Sequence, residues 1–175
     1  MKERIYNQQN LTRKFRQLLV LFALLLLPQW TWAEDISYLE FDQTKGAFFE
    51  NHCSATDVEA IASNTYKLIN GKTYIVNNNI YLNTRLEVQG NVNLILFDDC
   101  ELTASNGIQV GSNDKLTIYA QSQGNLKGTL IAYDYYVADN TNIGDIWCGA
   151  PIGGYFESVN GNDDTIDCGT IIIHG

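Results

Sequence analysis

Short apolar runs alternate with short polar clusters along the chain from Thr73 onward. The runs are rich in Val, Ile, Leu, Tyr and Thr, as in TYIV, RLEV, VNLILF and KLTIYA, while Asn, Asp, Gly and Ser fill the gaps between them. Such runs favour β-strands, and the polar clusters are typical of turns. No stretch here keeps the i, i+3, i+4 spacing of an amphipathic helix. The pattern predicts an all-β protein.

The apolar pattern repeats after about 22 residues, which is a length expected for one coil of a solenoid. The matched pairs are Leu86–Ile108, Val88–Val110, Asn91–Asn113, Leu94–Leu116, Leu96–Ile118, Phe97–Tyr119 and, after a small insertion, Leu102–Leu126. A short strand cannot bury its apolar face alone, so we expect successive copies to stack as parallel strands about 4.8 Å apart. The prediction is a right-handed parallel β-helix, a form of β-solenoid. The alternative is an antiparallel β-sandwich, which also has short strands at regular spacing.

The predicted β-helix has three regions. Residues 34–71 lack the repeat and are expected to form an N-terminal cap over the first coil, because a bare sheet end exposes unpaired backbone groups. Residues 72–175 are expected to form the coils, with an aromatic- and Gly-rich excursion at 133–162. A last strand signal, GTIIIH, has no polar capping segment after it. We therefore expect either truncation at the C-terminus or self-association through an open last coil.

A secretory signal peptide is predicted at residues 1–33. Five basic residues precede an apolar run of about ten residues at 18–27, too short to span a bilayer as a helix, and small residues precede Glu34. The expected location is secreted, cell-surface or periplasmic. Five of the 11 basic and one of the 20 acidic residues lie in this leader, which leaves six basic and 19 acidic residues, a net charge of about −13. That charge argues against nucleic acid or anionic lipid as a partner, and no later apolar run is long enough to cross a membrane.

The segment from Lys72 to Gly128, KTYIVNNNIYLNTRLEVQGNVNLILFDDCELTASNGIQVGSNDKLTIYAQSQGNLKG, resembles a module of large secreted or surface β-helix proteins of anaerobic and host-associated bacteria. The likeness covers most of residues 72–175 and is carried by 73–77, 90–104, 152–154 and 168–171. This chain departs from the family pattern at Asp99, where the family has Gly, and at Lys72 and Thr73, where it has Gly-Trp. The departure at Asp99 puts the shape of that turn in question. Members mostly lack a defined biochemical activity, so the resemblance implies a β-helix fold, an exported location, and adhesion or glycan binding.

Aromatic residues gather in and around the excursion. A flat ring can cover the apolar C–H face of a sugar while nearby Asp and Asn side chains bind its hydroxyl groups. The candidate glycan-binding residues are Tyr135, Tyr136, Trp147 and Tyr155. The alternative is that these rings pack the excursion onto the flank of the coils.

Acidic residues offer one candidate metal site. Asp163, Asp164 and Asp167 bring several oxygen ligands close together, as calcium requires. They match no calcium-loop spacing, and a solvated acidic turn explains them better. No other cofactor and no catalytic residue is predicted.

The cysteines leave two interpretations open. All four lie after the predicted leader, where an oxidising compartment permits two disulfides in any of three connectivities. The alternative is buried free thiols. The four residues are Cys53, Cys100, Cys148 and Cys168.

Taken together, these features favour an exported, non-catalytic β-solenoid of the surface or adhesion type, with glycans or host and cell-surface molecules as partners. A polysaccharide lyase or glycoside hydrolase of the parallel β-helix class is one alternative, since such enzymes use carboxylates. Basic partners for that chemistry are scarce in the coils: Arg85, Lys115 and Lys127. The other alternative is a purely structural, self-associating spacer.

Overall fold

The computed structural model describes residues 35–138, 146–159 and 162–175, all within one compact unit at 33–175. The predicted signal peptide lies outside these residues. The structure is all-β, as predicted, and its one helical element in the described ranges is a 3₁₀ turn at Ala55–Asp57. In the same ranges, no helix is long and apolar enough to span a membrane.

The strands are, in chain order, β1 (Asp35–Asp42), β2 (Ala47–Ser54), β3 (Val58–Ala60), β4 (Lys67–Leu68), β5 (Thr73–Val76), β6 (Ile80–Leu82), β7 (Leu86–Val88), β8 (Asn91–Leu96), β9 (Glu101–Ala104), β10 (Ile108–Val110), β11 (Lys115–Ala120), β12 (Thr129–Ala132), β13 (Tyr135–Ala138), β14 (Ile146–Gly149), β15 (Ile152–Gly153), β16 (Tyr155–Val159), β17 (Asn162–Ile166) and β18 (Thr170–His174).

Three parallel sheets form the main body. The four-stranded parallel sheet has the order β4-β7-β10-β15, the five-stranded one β3-β5-β8-β11-β18, and the three-stranded one β6-β9-β12. From β4 to β12 the chain enters these three sheets in the same order on three successive passages. Each passage therefore adds one strand to every sheet. Parallel pairing of successive copies is confirmed, and the antiparallel sandwich is wrong for this part of the chain.

Apolar side chains on the inner sides of the three sheets form one core. Successive residues of a strand face opposite sides, so Val92, Leu94 and Leu96 are buried while Asn91 and Asn93 are exposed. Burying one such aliphatic side chain contributes about 1.5–3 kcal/mol. The fully enclosed members from all three sheets include Leu68, Val76, Leu82, Leu86, Leu94, Leu102, Ile108, Val110 and Leu116.

The register of the repeat differs between the sheets. Leu86 pairs with Ile108, which confirms the predicted offset in the four-stranded sheet. Leu94 pairs with Ile118 rather than with Leu116. The predicted matches Asn91–Asn113, Leu94–Leu116, Leu96–Ile118 and Phe97–Tyr119 are therefore wrong by two residues, and Leu102 pairs with Leu130 rather than with Leu126. The cause is turn length: residues 111–114 precede β11, whereas only 89–90 precede β8.

Side chains at the turns bond to the backbone of the neighbouring passage. The Asn70 side-chain oxygen accepts a hydrogen bond from the backbone N–H of Asn91 at 2.7 Å. The Asp114 carboxylate accepts one from the N–H of Gly90 at 2.6 Å. Such bonds satisfy backbone donors that the strand ladders leave unpaired, and each contributes about 1 kcal/mol. The Asn and Asp residues between strands thus join successive passages as well as shaping the turns.

Asp99 adopts the left-handed backbone conformation that Gly adopts most readily, with φ of 60°. Asp tolerates this region better than most residues because its short side chain can hydrogen-bond locally. Its N–H donates to the carbonyl oxygen of Leu126 at 2.8 Å. The turn at this departure from the family pattern therefore takes a glycine-like conformation.

The N-terminal strands β1 and β2 form an antiparallel hairpin against the outer face of the five-stranded parallel sheet. Ile36 of the hairpin shares a second buried cluster with Ile75 and Ile95 of that sheet. The Tyr38 ring meets the Tyr119 ring edge-on, with 4.8 Å between centroids. The predicted cap region at 34–71 thus contains a hairpin that covers the outer face of the five-stranded sheet. It also contains β3 and β4 of the parallel sheets.

The hairpin also contacts the last strand, β18. The backbone N–H of Phe41 donates to Nδ1 of His174 at 3.0 Å. The His174 ring stacks on Tyr119 with 5.0 Å between centroids. One hairpin therefore lies against strands from both early and late passages.

The predicted excursion at 133–162 contains β13, β14 and β16 of an antiparallel sheet with the order β13-β14-β16-β17, and β17 continues beyond it to Ile166. β15 interrupts this sheet in sequence and pairs with β10 in the four-stranded parallel sheet. β18 then returns to the five-stranded parallel sheet beside β11. The antiparallel sheet is thus connected to the main body at three places in the sequence: β12 precedes it, β15 interrupts it and β18 follows it.

We expect Leu94→Ala to lower the free energy of unfolding by about 2–5 kcal/mol, because Leu94 is fully buried between the parallel sheets. Leu126→Ala is the matched control, since 61% of Leu126 is exposed, and it should change stability by less than about 0.5 kcal/mol. Urea denaturation followed by circular dichroism measures both. Equal effects of the two substitutions would contradict the core described above.

Candidate functional site

Backbone pairing brings the four predicted glycan-binding residues into the antiparallel sheet. Tyr135 and Tyr155 lie on either side of Gly149, and Tyr136 and Trp147 belong to the adjoining strands β13 and β14. The side chains of Tyr135, Tyr136 and Trp147 lie outside the part of the chain that the structure describes in full. The Tyr155 side chain is described and is half-buried.

A cleft of about 580 Å³ lies beside this sheet. Its lining includes Asp134, Tyr155, Phe156, Thr165 and Asp167. The volume is in the range of roughly 300–1,000 Å³ that is usual for small-molecule sites. Residues with aromatic, hydroxyl and carboxylate side chains therefore line one cavity, although Tyr155 and Phe156 are successive residues of β16 and their rings face opposite sides of the sheet. Of the predicted residues, Tyr155 is in this lining.

The Tyr155 hydroxyl donates a hydrogen bond to Oε2 of Glu157 at 3.0 Å. The two residues are separated by one position in β16, so they lie on the same side of the strand. The bond limits rotation of the phenol group. Tyr155 therefore presents its ring to the cleft in a fixed orientation.

Arg85 holds the loops around β15 against the parallel sheets. Its Nη1 donates to the carbonyl oxygen of Asn106 at 2.9 Å. Its Nη2 donates to the carbonyl oxygens of Ala150 and Gly154, both at 3.2 Å. Ala150 and Gly154 line the cleft, so this guanidinium fixes one wall of the cavity. A Cβ atom at Gly149 would lie 2.6 Å from the guanidinium carbon, which explains the glycine there.

Sequence reasoning noted Arg85 only as one of few basic residues. Its role depends on a contact between residue 85 and residues 150 and 154, which no local pattern indicates. Asp134 and Asp167 were not singled out for the cleft either, because they are far apart in sequence. Only the pairing of β14, β16 and β17 brings them to one cavity.

The charged residues in the cleft lining are acidic. Residues 128–175 contain no Lys or Arg. The acidic residues of this segment are Asp134, Asp139, Asp145, Glu157, Asp163, Asp164 and Asp167. The cleft lining contains two of these carboxylates and, among the residues described, no basic side chain.

The candidate calcium ligands do not gather around one point. Asp163 and Asp164 are exposed neighbours on β17, and successive residues of a strand face opposite sides. Asp167 follows the end of that strand. Within the described ranges, no group of three or more His, Cys, Asp or Glu residues could hold a metal ion.

All four cysteines are unbridged in the structure. Cys148 and Cys168 both line the cleft. Cys148 lies on β14, and Cys168 follows the end of β17.

The other two thiols are poor nucleophiles. Burial raises the pKa of the Cys53 thiol, and the Asp57 and Asp35 carboxylates raise it further. Burial also raises the pKa of Cys100, again with a contribution from neighbouring carboxylates. Because the thiolate is the reactive form, both groups are less reactive at neutral pH than a free cysteine.

A second cavity, of about 420 Å³, lies beside β12, β15 and β18. These are the last strands of the three parallel sheets. Ile173 lines this cavity and pairs with Ile118, yet it is 66% exposed whereas Ile118 is 4% exposed. An apolar edge is therefore open to solvent at this end of the sheets.

Comparison of the chain with protein-family models found no matching family, and comparison with curated proteins and with solved structures found no similar chain.

We expect Arg85→Ala to loosen the cleft wall, because three carbonyl oxygens lose a charged hydrogen-bond donor. Amide hydrogen exchange of β14, β15 and β16 should become at least about tenfold faster, which corresponds to roughly 1.4 kcal/mol of local stability. Lys115→Ala is the control, since it also removes one positive charge from the main body. A uniform change along the whole chain, or the same change in both variants, would contradict the local role of Arg85.

Proposed function

We propose that this chain is an exported, non-catalytic β-solenoid module of the surface or adhesion type, and that it binds carbohydrate in the cleft beside the antiparallel sheet. The observation that carries the proposal is the shared lining of that cleft by Tyr155, Phe156, Thr165 and two carboxylates. Aromatic rings suit the apolar face of a sugar, and the polar groups suit its hydroxyls.

The solenoid part of the proposal rests on the three repeated passages through the parallel sheets. Stacked passages bury one continuous core, which is the property that defines a solenoid. We propose a right-handed coil because connections between parallel strands of one sheet are right-handed in almost all proteins. The resemblance of residues 72–175 to surface β-helix modules supports the same architecture.

Export and location rest on the sequence of the leader. Its basic start, short apolar run and small residues before Glu34 are those of a secretory signal peptide. A secreted, cell-surface or periplasmic protein would meet glycans on its own or on a host cell. The acidic charge of the remaining chain disfavours nucleic acid as a partner.

We expect Tyr155→Ala to weaken binding about tenfold or more, because a central aromatic ring in a binding site commonly contributes over 1.4 kcal/mol. The probe is an array of neutral, amino and acidic oligosaccharides, followed by calorimetry with the member that binds best. Tyr81→Ala is the control, since Tyr81 is 62% exposed on β6 and outside the cleft. Binding to no member of the array, or equal binding by Tyr155→Ala, would contradict the proposal.

A glycoside hydrolase is the second candidate, and the pair Asp134 and Asp167 favours it because both carboxylates line one cleft. Hydrolysis of this type uses one carboxyl group as acid and the other as base or nucleophile. Release of reducing ends from the bound oligosaccharide, lost in both Asp134→Asn and Asp167→Asn, would favour the hydrolase over a binding module. Binding without any such release would favour the module. A lyase is less well supported, since the described lining holds no Lys or Arg.

A structural, self-associating role is favoured by the exposed edge at Ile173. We expect the purified protein to associate with rising concentration in analytical ultracentrifugation, because an open sheet edge with apolar side chains can pair with another chain. Ile173→Asp should reduce this association, and Leu126→Asp, which changes an equally exposed side chain elsewhere, should not. A monomer at every concentration would contradict this role.

A further inference from the structure

The charge of the cleft carries an inference about which sugars it accepts, and this inference rests on the proposed carbohydrate binding. Asp134 and Asp167 both line the cavity, alongside Tyr155 and Phe156. Both carboxylates belong to exposed residues, so each can approach a ligand without first breaking a buried contact. The lining therefore combines aromatic and acidic residues.

Little positive charge offsets these carboxylates. Lys and Arg are absent from residues 128–175, which contribute most of the lining. The nearest cation in contact with the lining is Arg85, whose guanidinium is engaged by the carbonyl oxygens of Asn106, Ala150 and Gly154. Its charge is directed at the backbone of the wall, and Arg85 itself does not line the cavity. The charged side chains of the described lining are therefore both negative.

An acidic lining discriminates between classes of sugar. A uronic acid carries a carboxylate, and bringing it beside Asp134 and Asp167 would cost repulsion and desolvation without an opposite charge to compensate. A neutral sugar escapes this repulsion but gains only ordinary hydrogen bonds. An amino sugar with a free ammonium group gains charge-assisted hydrogen bonds to a carboxylate, which are shorter and stronger than neutral ones.

We propose that the cleft selects saccharides with free amino groups, with Asp134 and Asp167 binding the ammonium group and Tyr155 stacking on the sugar ring. The carboxylates thus determine the specificity of the site, and the Tyr155 ring supplies affinity for saccharides in general.

The test compares three β- or α-linked hexasaccharides of similar length: glucosamine, N-acetylglucosamine and galacturonic acid. Affinities are measured by calorimetry on the purified protein at mildly acidic pH, where the sugar amine is protonated. We expect the glucosamine hexamer to bind about fivefold or more tighter than the N-acetylated one, and the galacturonate hexamer to bind weakest. Added salt should reduce this preference, because it screens exposed charges.

Two variants locate the effect. Asp134→Asn and Asp167→Asn should each reduce the ratio of the glucosamine affinity to the N-acetylglucosamine affinity, because the amide keeps hydrogen-bonding atoms but loses the charge that attracts the ammonium group. Asp163→Asn is the control, because it removes one charge from the same antiparallel sheet but from a residue outside the lining. It should leave the preference unchanged.

The outcomes separate this inference from the proposed function. Equal or tighter binding of the N-acetylated hexamer would overturn the amino-sugar specificity and leave carbohydrate binding intact. A preference reduced as much by Asp163→Asn as by the lining variants would also overturn it, because general attraction to an acidic protein would then explain the result. Binding of none of the three hexamers would overturn the amino-sugar specificity, and the oligosaccharide array would then decide on carbohydrate binding itself.

Discussion

Burial of aliphatic side chains between three parallel sheets is the interaction on which the rest of this structure depends. Leu86, Leu94 and Leu102 come from one passage of the chain, one from each sheet, and all are fully enclosed. None of these three side chains is enclosed by its own passage alone, because short strands of three to six residues leave their apolar side chains exposed until the next passage stacks on them. The next passage supplies both the apolar partner and the backbone hydrogen bonds. Each added passage of the chain therefore provides both the side-chain packing and the backbone hydrogen bonds.

The elements outside this core are held by contacts with it. The hairpin β1–β2 buries Ile36 against the outer face of the five-stranded sheet, and its Phe41 N–H bonds to His174. The antiparallel sheet joins the main body through β15 and through the carbonyl oxygens that Arg85 binds. A stable scaffold thus carries a more open element whose loops shape a cleft, which is a common division between framework and site.

The composition of the two parts reflects this division. The passages from β4 to β12 contain the aliphatic core and five of the six basic residues that follow the predicted leader. The segment after residue 128 contains aromatic and acidic residues and no Lys or Arg. Charged groups close to one another at this density repel unless something compensates them, so their concentration around one cleft costs some stability. The two-carboxylate lining is the feature that most restricts the saccharides proposed to bind there.

The alternating apolar pattern by itself determined that the chain forms short strands, that successive copies pair in parallel, and that Leu94, Leu102 and Leu116 lie inside. It did not determine which residues are neighbours: Leu94 pairs with Ile118, because a turn longer by two residues returns every side chain to the same face and leaves the pattern unchanged. The set of residues around the cleft depended on tertiary structure more than the set of core residues did. Tyr155 could be predicted from its residue type, whereas Asp134, Asp167 and Arg85 meet there only through strand pairing and long-range hydrogen bonds. Local periodicity specifies the face on which a side chain lies, and only the folded chain decides which distant residues share that face.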